Sequence, residues 1–433
     1  MKDIKAFIHC TLLDGTSEME PQDNITVVVK DGRISAVGKG MPAPEGAEVY
    51  DLAGQYLMPG LINLHVHLPG TGVPAKKQKD AAKTAAFIMR TALTRSIGRA
   101  WCAKQAETEL LSGVTTIRTV GGLGTFDSEI RDKINAGKAV GPRILSCDMA
   151  ISVPGGHMAG SVSYIAESEE DCRRLVKKII AAGHPDWIKL MITGGVLDAK
   201  VKGEPGVLKM PPAYVKAACE EAHKAGFRVA AHTESTEGVK VALENGVDSI
   251  EHGAVMTDEI VQLYKEHHAV NICTISPAVP FAAFDREVVH STELTQYNGQ
   301  IVMEGIISSA KSALANEIPC GLGTDTACPF VTHYDMWREL EYFHHYCGVT
   351  RKFALYTATC RNAEIVGLSQ ETGTVAVGRS ADLLVTAGNP LDDLAALRTP
   401  EMVVFRGQVH VKPKVKKYEV CEQELDKEHE VTL

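Results

Sequence analysis

From Gly60 to about Leu368 the chain repeats one pattern: a short apolar run rich in β-branched residues, a loop, then a helix-length amphipathic segment. Such a repeat folds as parallel βαβ units, because consecutive strands are returned to the same direction by the intervening helices. Eight runs read as strands: Leu61 to His67, Val114 to Thr119, Ile144 to Met149, Trp187 to Ile192, Arg228 to His232, Ser249 to His252, Val270 to Ile275 and Cys320 to Asp325. The intervening helices include Cys172 to Ala182, Ala213 to Ala225, Val239 to Asn245 and Asp258 to Lys265. Eight parallel strands alternating with helices predict an α/β fold of the (β/α)8 TIM-barrel type over 59–370.

Both ends have a different texture. Ile25 to Lys30 is a β-branched run, Asp31-Gly32 a hairpin turn signal, and Arg33 to Val37 resumes the strand. Short strands are also expected at Gly373 to Val377, Asp382 to Thr386 and Met402 to Phe405. At 433 residues the chain accommodates a barrel of about 250 plus one smaller domain, here 1–58 and 371–433. Pro69 to Leu111 is too long for a plain βα loop and is basic through Lys76, Lys77, Lys79, Lys83, Arg90, Arg95 and Arg99. A lid, a subunit contact and a solvated helix are the readings, with the last preferred. The charged tail from Lys412 to Leu433 is expected as an exposed strand or frayed end.

Charge narrows the partners. Lysine plus arginine number 45 against 54 acidic residues, and a net charge of −9 repels polyanions, so no nucleic acid is expected. No run approaches 18 uncharged apolar residues, so no membrane span is expected. Lys2, Asp3, Lys5 and His9 interrupt the N-terminal apolar residues, unlike a secretory signal. The 11 cysteines are scattered and form no C-x-x-C pair, as in a reducing compartment. These features predict a cytoplasmic enzyme with a small-molecule substrate and a homo-oligomeric assembly.

In a parallel barrel the reacting groups sit at the carboxyl ends of the strands. The first strand ends in His65-Val66-His67, two imidazoles on one strand face. The fifth and sixth end at His232 and His252, and the eighth at Asp325 in Gly321-Leu322-Gly323-Thr324-Asp325. The fourth carries Lys189 in an otherwise apolar run, which is costly unless its charge is altered or paired. Carboxylation by carbon dioxide would make it a carboxylate able to bridge two cations. Taken singly, each has a plainer account: a satisfied histidine, an ion-paired lysine, a helix cap. Their joint occurrence at five strand ends favours a catalytic centre built from N and O donors that Zn²⁺ accepts.

With these residues in place, the chain resembles the amidohydrolase superfamily, within its imidazolonepropionase-related and prolidase-like metallo-dipeptidase branch. Leu57-Met58-Pro59-Gly60-Leu61-Ile62-Asn63-Leu64-His65-Val66-His67 is similar to the entry into the family's barrel, and Gly378-Arg379-Ser380-Ala381-Asp382-Leu383-Leu384-Val385 to the return into its small β domain. The resemblance implies one composite β-sandwich made from both ends. It also implies that His65, His67 and Asp325 bind one zinc ion and His232 and His252 a second, bridged by carboxylated Lys189; another divalent metal is compatible. Gly155-Gly156-His157 is similar to a segment that contacts substrate, which assigns His157 to substrate or oxyanion binding.

Two positions depart from the branch. Thr233, Glu234 and Ser235 stand where the dipeptidases carry a tyrosine, and Thr119 after Arg118 where an acidic residue is usual. The expected reaction is cleavage of an amide-type C–N bond in a dipeptide or N-acyl amino acid by a metal-bridging hydroxide, with Asp325 as general base and acid. The alternative is a deaminase or cyclic-amide hydrolase in which Glu234 assists proton transfer. A remote alternative is a non-catalytic scaffold on the same fold.

Overall fold

Val114–Thr119 and Ser249–His252 are strands over the residues expected of them, and both are buried throughout. Their β-branched residues pack on a sheet covered on both faces. The computed structural model describes residues 4–75 and 80–427. Expectations for Lys2 and Asp3, for Lys76, Lys77 and Lys79, and for the tail after Lys427 lie outside the described residues.

The parallel strands fall into two arcs. One is a three-stranded sheet of Leu61–Val66, Val114–Thr119 and Arg143–Leu145; the other orders Ser163–Ile165, Ala150–Ser152, Trp187–Met191, Arg228–Thr233, Ser249–His252, Val270–Cys273 and Cys320–Leu322. Among the described residues the backbone ladder does not close into one ring, as a complete barrel would. Single bonds cross the seams instead: Asp325 N donates to His65 O at 2.8 Å and Trp187 N to Ser146 O at 3.1 Å. Register pairs Met191 with His232 and Thr233 with His252, so the strands bearing these histidines end level. The third strand splits where Asp148 turns left-handed (φ 54), producing Arg143–Leu145 and the unforeseen Ala150–Ser152 in place of one run.

The helices pack outside. Glu169–Gly183 starts at Ser168, whose hydroxyl accepts from Asp171 N at 3.1 Å, with three acidic residues in its first turn. It buries Cys172, Leu175, Val176 and Ile179, a stripe at helical spacing. Each such apolar side chain contributes roughly 1.5–3 kcal/mol when fully buried. The basic segment contains the helices Ala81–Met89 and Ala92–Leu111. Lys83, Arg90 and Arg95 are solvent-exposed and Arg99 pairs with Glu129. No helix among the described residues is long and apolar enough to cross a membrane.

Both chain ends join one eight-stranded sheet, with Tyr56–Pro59 next to Leu383–Thr386 and Ile4–Leu12 beyond. By hydrogen bonding this is a single sheet, where the sequence reading expected two sandwiched layers. The hairpin at Asp31-Gly32 forms, with φ of 51 and 78, the two positive values that match the twist of the flanking strands. Gly373 to Val377 is irregular, bending at Gly373 and Thr374, rather than the expected strand, its Val375 N bound to Asp14 O at 2.9 Å. In the charged tail Glu419–Leu425 is a helix, and Arg338 reaches the neighbouring Asp426 at 2.7 Å.

Arg143 ties this sheet to the parallel strands, bonding Asp382 at 2.7 Å and Glu371 at 3.2 Å. Asp382 is fully buried and Arg143 nearly so. Arg143→Met leaves a buried carboxylate without its cation and is expected to cost roughly 3–5 kcal/mol. Denaturant titration measures this, and a loss below about 1 kcal/mol would show that the contact is dispensable.

Candidate metal centre and active site

Strand ends set the positions, and close backbone contacts set the angles. Asn63 Oδ1 accepts from Thr324 N at 3.0 Å while its Nδ2 donates to Thr324 Oγ1 at 2.8 Å, stitching the first strand to the last. A side chain at Gly323 would lie 2.6 Å from His65 N, so only glycine lets the two strands approach here. His252 (φ 68) and Asp325 (φ 57) are both left-handed, a conformation that costs on the order of 1–3 kcal/mol each and persists where surrounding contacts over-determine it.

Two groups of donors result. His65, His67 and Asp325 lie together, their donor atoms within 4.8 Å of one another, and so do His232, Glu234 and His252. Asp325 Oδ1 is 3.5 Å from His65 Nε2 and 3.2 Å from His67 Nε2. Rings of the two groups touch, with the His65 and His252 centroids 4.8 Å apart. Lys189 adds a buried amine whose Nζ has no hydrogen-bond partner among the described residues.

The imidazoles suit metal binding because each has one nitrogen already engaged. His65 Nδ1 meets Glu251 Oε2 at 2.8 Å, His67 Nδ1 the Gly121 carbonyl at 2.8 Å, and His252 Nδ1 Thr274 Oγ1 at 2.7 Å. His232 uses the other atom, its Nε2 lying 3.3 Å from Gly194 O. Such contacts fix the tautomer and leave the opposite nitrogen for a cation. An N and O donor set with an orphaned buried amine fits a divalent metal.

Burial governs the protonation states. It pulls His65 down to about 4, puts His232 and His252 well below their usual range, and lowers Lys189 to about 8. Those imidazoles are neutral at neutral pH, the form that binds metal. Burial raises the Asp325 carboxyl, but His65 and His67 beside it outweigh that and hold it well below the carboxylate range. Glu234 moves the other way, pushed well above its usual range by burial and by the charges of Asp325 and Asp198.

His157 stacks on His232, with centroids 4.2 Å apart and planes 6° from parallel. Its Nδ1 lies 2.5 Å from Asp198 Oδ2. All eight residues singled out from sequence therefore gather around one space. Sequence reasoning missed Asp198, Glu251, Arg118 and Gly121, which act on the histidines from other strands and loops. It also missed Cys328, whose thiol donates to Asp325 Oδ2 at 3.5 Å. The loop after Val114–Thr119 supplies the Gly121 carbonyl for His67. An open cavity of about 620 Å³ adjoins the centre, bounded by Glu234, Val207, Leu208, Val255 and Ile301, large enough for a small organic substrate.

Parallel strands carrying histidines and an aspartate at their ends define a class of hydrolases, and residues 56–410 match the amidohydrolase family. The chain belongs to that family. It is similar to a Bifidobacterium longum protein provisionally identified as a prolidase, at 35% identity, with a TM-score of 0.86 over 98% of each chain. It is also similar to a Xaa-Pro dipeptidase solved with methionine bound in its active site, at 27% identity and a TM-score of 0.81, covering 94% of this chain and 100% of that one. Ochratoxinase from Aspergillus niger is 28% identical over 421 residues, spanning 90% of this chain and 83% of that protein. These relatives put the chain in the prolidase-like branch.

Two outcomes test the centre. Lys189→Met removes an unpartnered buried amine, so the metal-free protein should gain about 1–3 kcal/mol in stability while metal retention falls; destabilisation with metal retained would contradict this. The depressed histidines fix a pH dependence. An unfolded chain takes up protons near 6.5, whereas folded His65 resists them down to about 4. Stability of the metal-free protein is therefore lost as pH falls through that window and is regained as it rises. Denaturation midpoints across the window check the slope, and a flat profile would contradict it.

Proposed function

We propose that this amidohydrolase cleaves the amide C–N bond of a small dipeptide or N-acyl amino acid. The carrying observation is the convergence of four histidines with engaged second nitrogens, one aspartate and one unpartnered lysine amine in a single buried space. Prolidase-like neighbours support the substrate class. His65, His67 and Asp325 would hold one divalent ion, His232 and His252 another, and carboxylated Lys189 would bridge them. Zn²⁺ suits these donors, as do other divalent metals. When bound, such ions supply a water ionised near neutral pH and polarise the substrate carbonyl.

The protein's own groups do the rest. Asp325 takes the proton of the attacking water and delivers it to the leaving nitrogen. Asp198, at His157 Nδ1, orients that ring for contact with the substrate or the developing oxyanion. Glu234 lies between the metal ligands and the cavity and contacts the substrate. This assigns a catalytic layer of the (β/α)8-barrel type to 59–370 and a supporting composite β domain to 1–58 and 371–433. Exposed Phe87, Leu93, Ile97 and Trp101 on the two helices of the basic segment support a homo-oligomer.

One observation favours a second reading. A Glu234 carboxyl whose hold on its proton is strengthened by burial, beside His232 and His252, can deliver a proton to a ring nitrogen, as a cyclic-amide hydrolase or deaminase requires. Product analysis separates the two across dipeptides, N-acyl amino acids and cyclic amides: a freed amino acid, an opened ring, or ammonia. Asp325→Asn should leave KM near its parent value and lower kcat by about 10²–10⁴. An unchanged kcat would remove Asp325 from the proton path.

A further inference from the structure

Arg118 is buried among the parallel strands, and its hydrogen bonds point inward. Nε donates to Leu64 O at 2.8 Å, Nη1 to Ser249 Oγ at 3.2 Å, and Nη2 to Glu251 Oε1 at 2.6 Å. The Ser249 hydroxyl donates to that same Glu251 oxygen at 2.7 Å. The other oxygen, Oε2, receives His65 Nδ1 at 2.8 Å. A continuous chain of bonds thus runs from Arg118 through Glu251 to the His65 ring, through side chains at most 1% exposed. Trp187 flanks the guanidinium, 4.9 Å from its central carbon to the ring centroid, and takes Arg228 at 3.9 Å.

A buried ion pair is a poor source of stability, because desolvating both charges offsets most of their attraction. This one has a local effect on a ring that matters. A neutral imidazole carries its proton on either nitrogen, and the two tautomers present different atoms to the site. With Glu251 Oε2 accepting at Nδ1, the lone pair is on Nε2, the atom facing Asp325 at 3.5 Å. Glu251 is itself held by Arg118 and Ser249 on its far oxygen, so it cannot swing away from the ring. The charged residue of this strand end is thus Arg118, turned inward, while Thr119 occupies the position where the branch usually has an acid.

We propose that Arg118 and Glu251 are a positioning pair which, acting through His65, fixes that ring's tautomer and angle for cation binding. The inference rests on the metal reading of the preceding section. It does not require a particular substrate or metal.

The test removes the pair without stranding either charge. Arg118→Met combined with Glu251→Met is expected to keep or raise the thermal midpoint, because well-packed apolar residues replace a buried pair at little cost. Titration of the metal-free variant with Zn²⁺ alone should show affinity reduced about 10- to 100-fold. A stable double variant with the parent's affinity overturns the proposal, and so does one that fails to fold, since the pair would then be structural. Nitrogen-15 spectra of histidine-labelled, metal-free parent protein, assigned by loss of the signal in His65→Asn, give an independent reading. The proposal expects the Nδ1–H tautomer throughout the neutral range, and an Nε2–H tautomer or rapid exchange overturns it. A parent protein that takes up no Zn²⁺ would sink the metal reading itself, while the tautomer still decides the pairing.

Discussion

Buried imidazoles that each have one nitrogen tied to the scaffold are the constraint around which this molecule is organised. Glu251, the Gly121 carbonyl, Thr274 and the Gly194 carbonyl hold the four rings from outside. Burying so many polar groups is expensive, and a divalent cation would relieve the cost at the remaining donors. The unpartnered Lys189 amine belongs to the same arrangement, since a carboxylated amine would face that cation as an anion.

Other features follow from placing these groups. Level strand ends come from the parallel register at Met191, His232 and Thr233. The left-handed backbone turns the chain at His252, the last residue of its strand, and at Asp325, just beyond the strand Cys320–Leu322, where the bond from Asp325 N to His65 O holds the turn in place. Gly323 lets the last strand come close enough to the first for Asp325 to reach both His65 and His67. The sheet made from the two chain ends acts at a distance, anchoring the third strand through Arg143 and Asp382.

What could be read beforehand was whatever is local. Val114–Thr119 declares itself by its run of β-branched residues, and the 31–32 hairpin by its Asp-Gly turn. His65, His67, His232, His252, Asp325 and Lys189 were visible because a strand end is a chemical address in a parallel fold. The split of the third strand was not visible, because a left-handed Asp148 stabilised by Ser128 is a tertiary contact. Nor was the irregular segment 373–377, whose residues mimic a strand but whose Val375 N bonds Asp14 O instead. Asp198 and Glu251 escaped for the same reason, as their partners His157 and His65 lie far away in sequence.

A metal centre formed by these donors would power hydrolysis. Elemental analysis of the purified protein, paired with amide hydrolysis before and after chelation and after divalent metal is returned, tests it most directly. The account predicts about two equivalents of divalent metal per chain, loss of turnover on chelation, and recovery when the metal is restored. A protein that carries no metal and gains no activity when supplied with it would contradict the account.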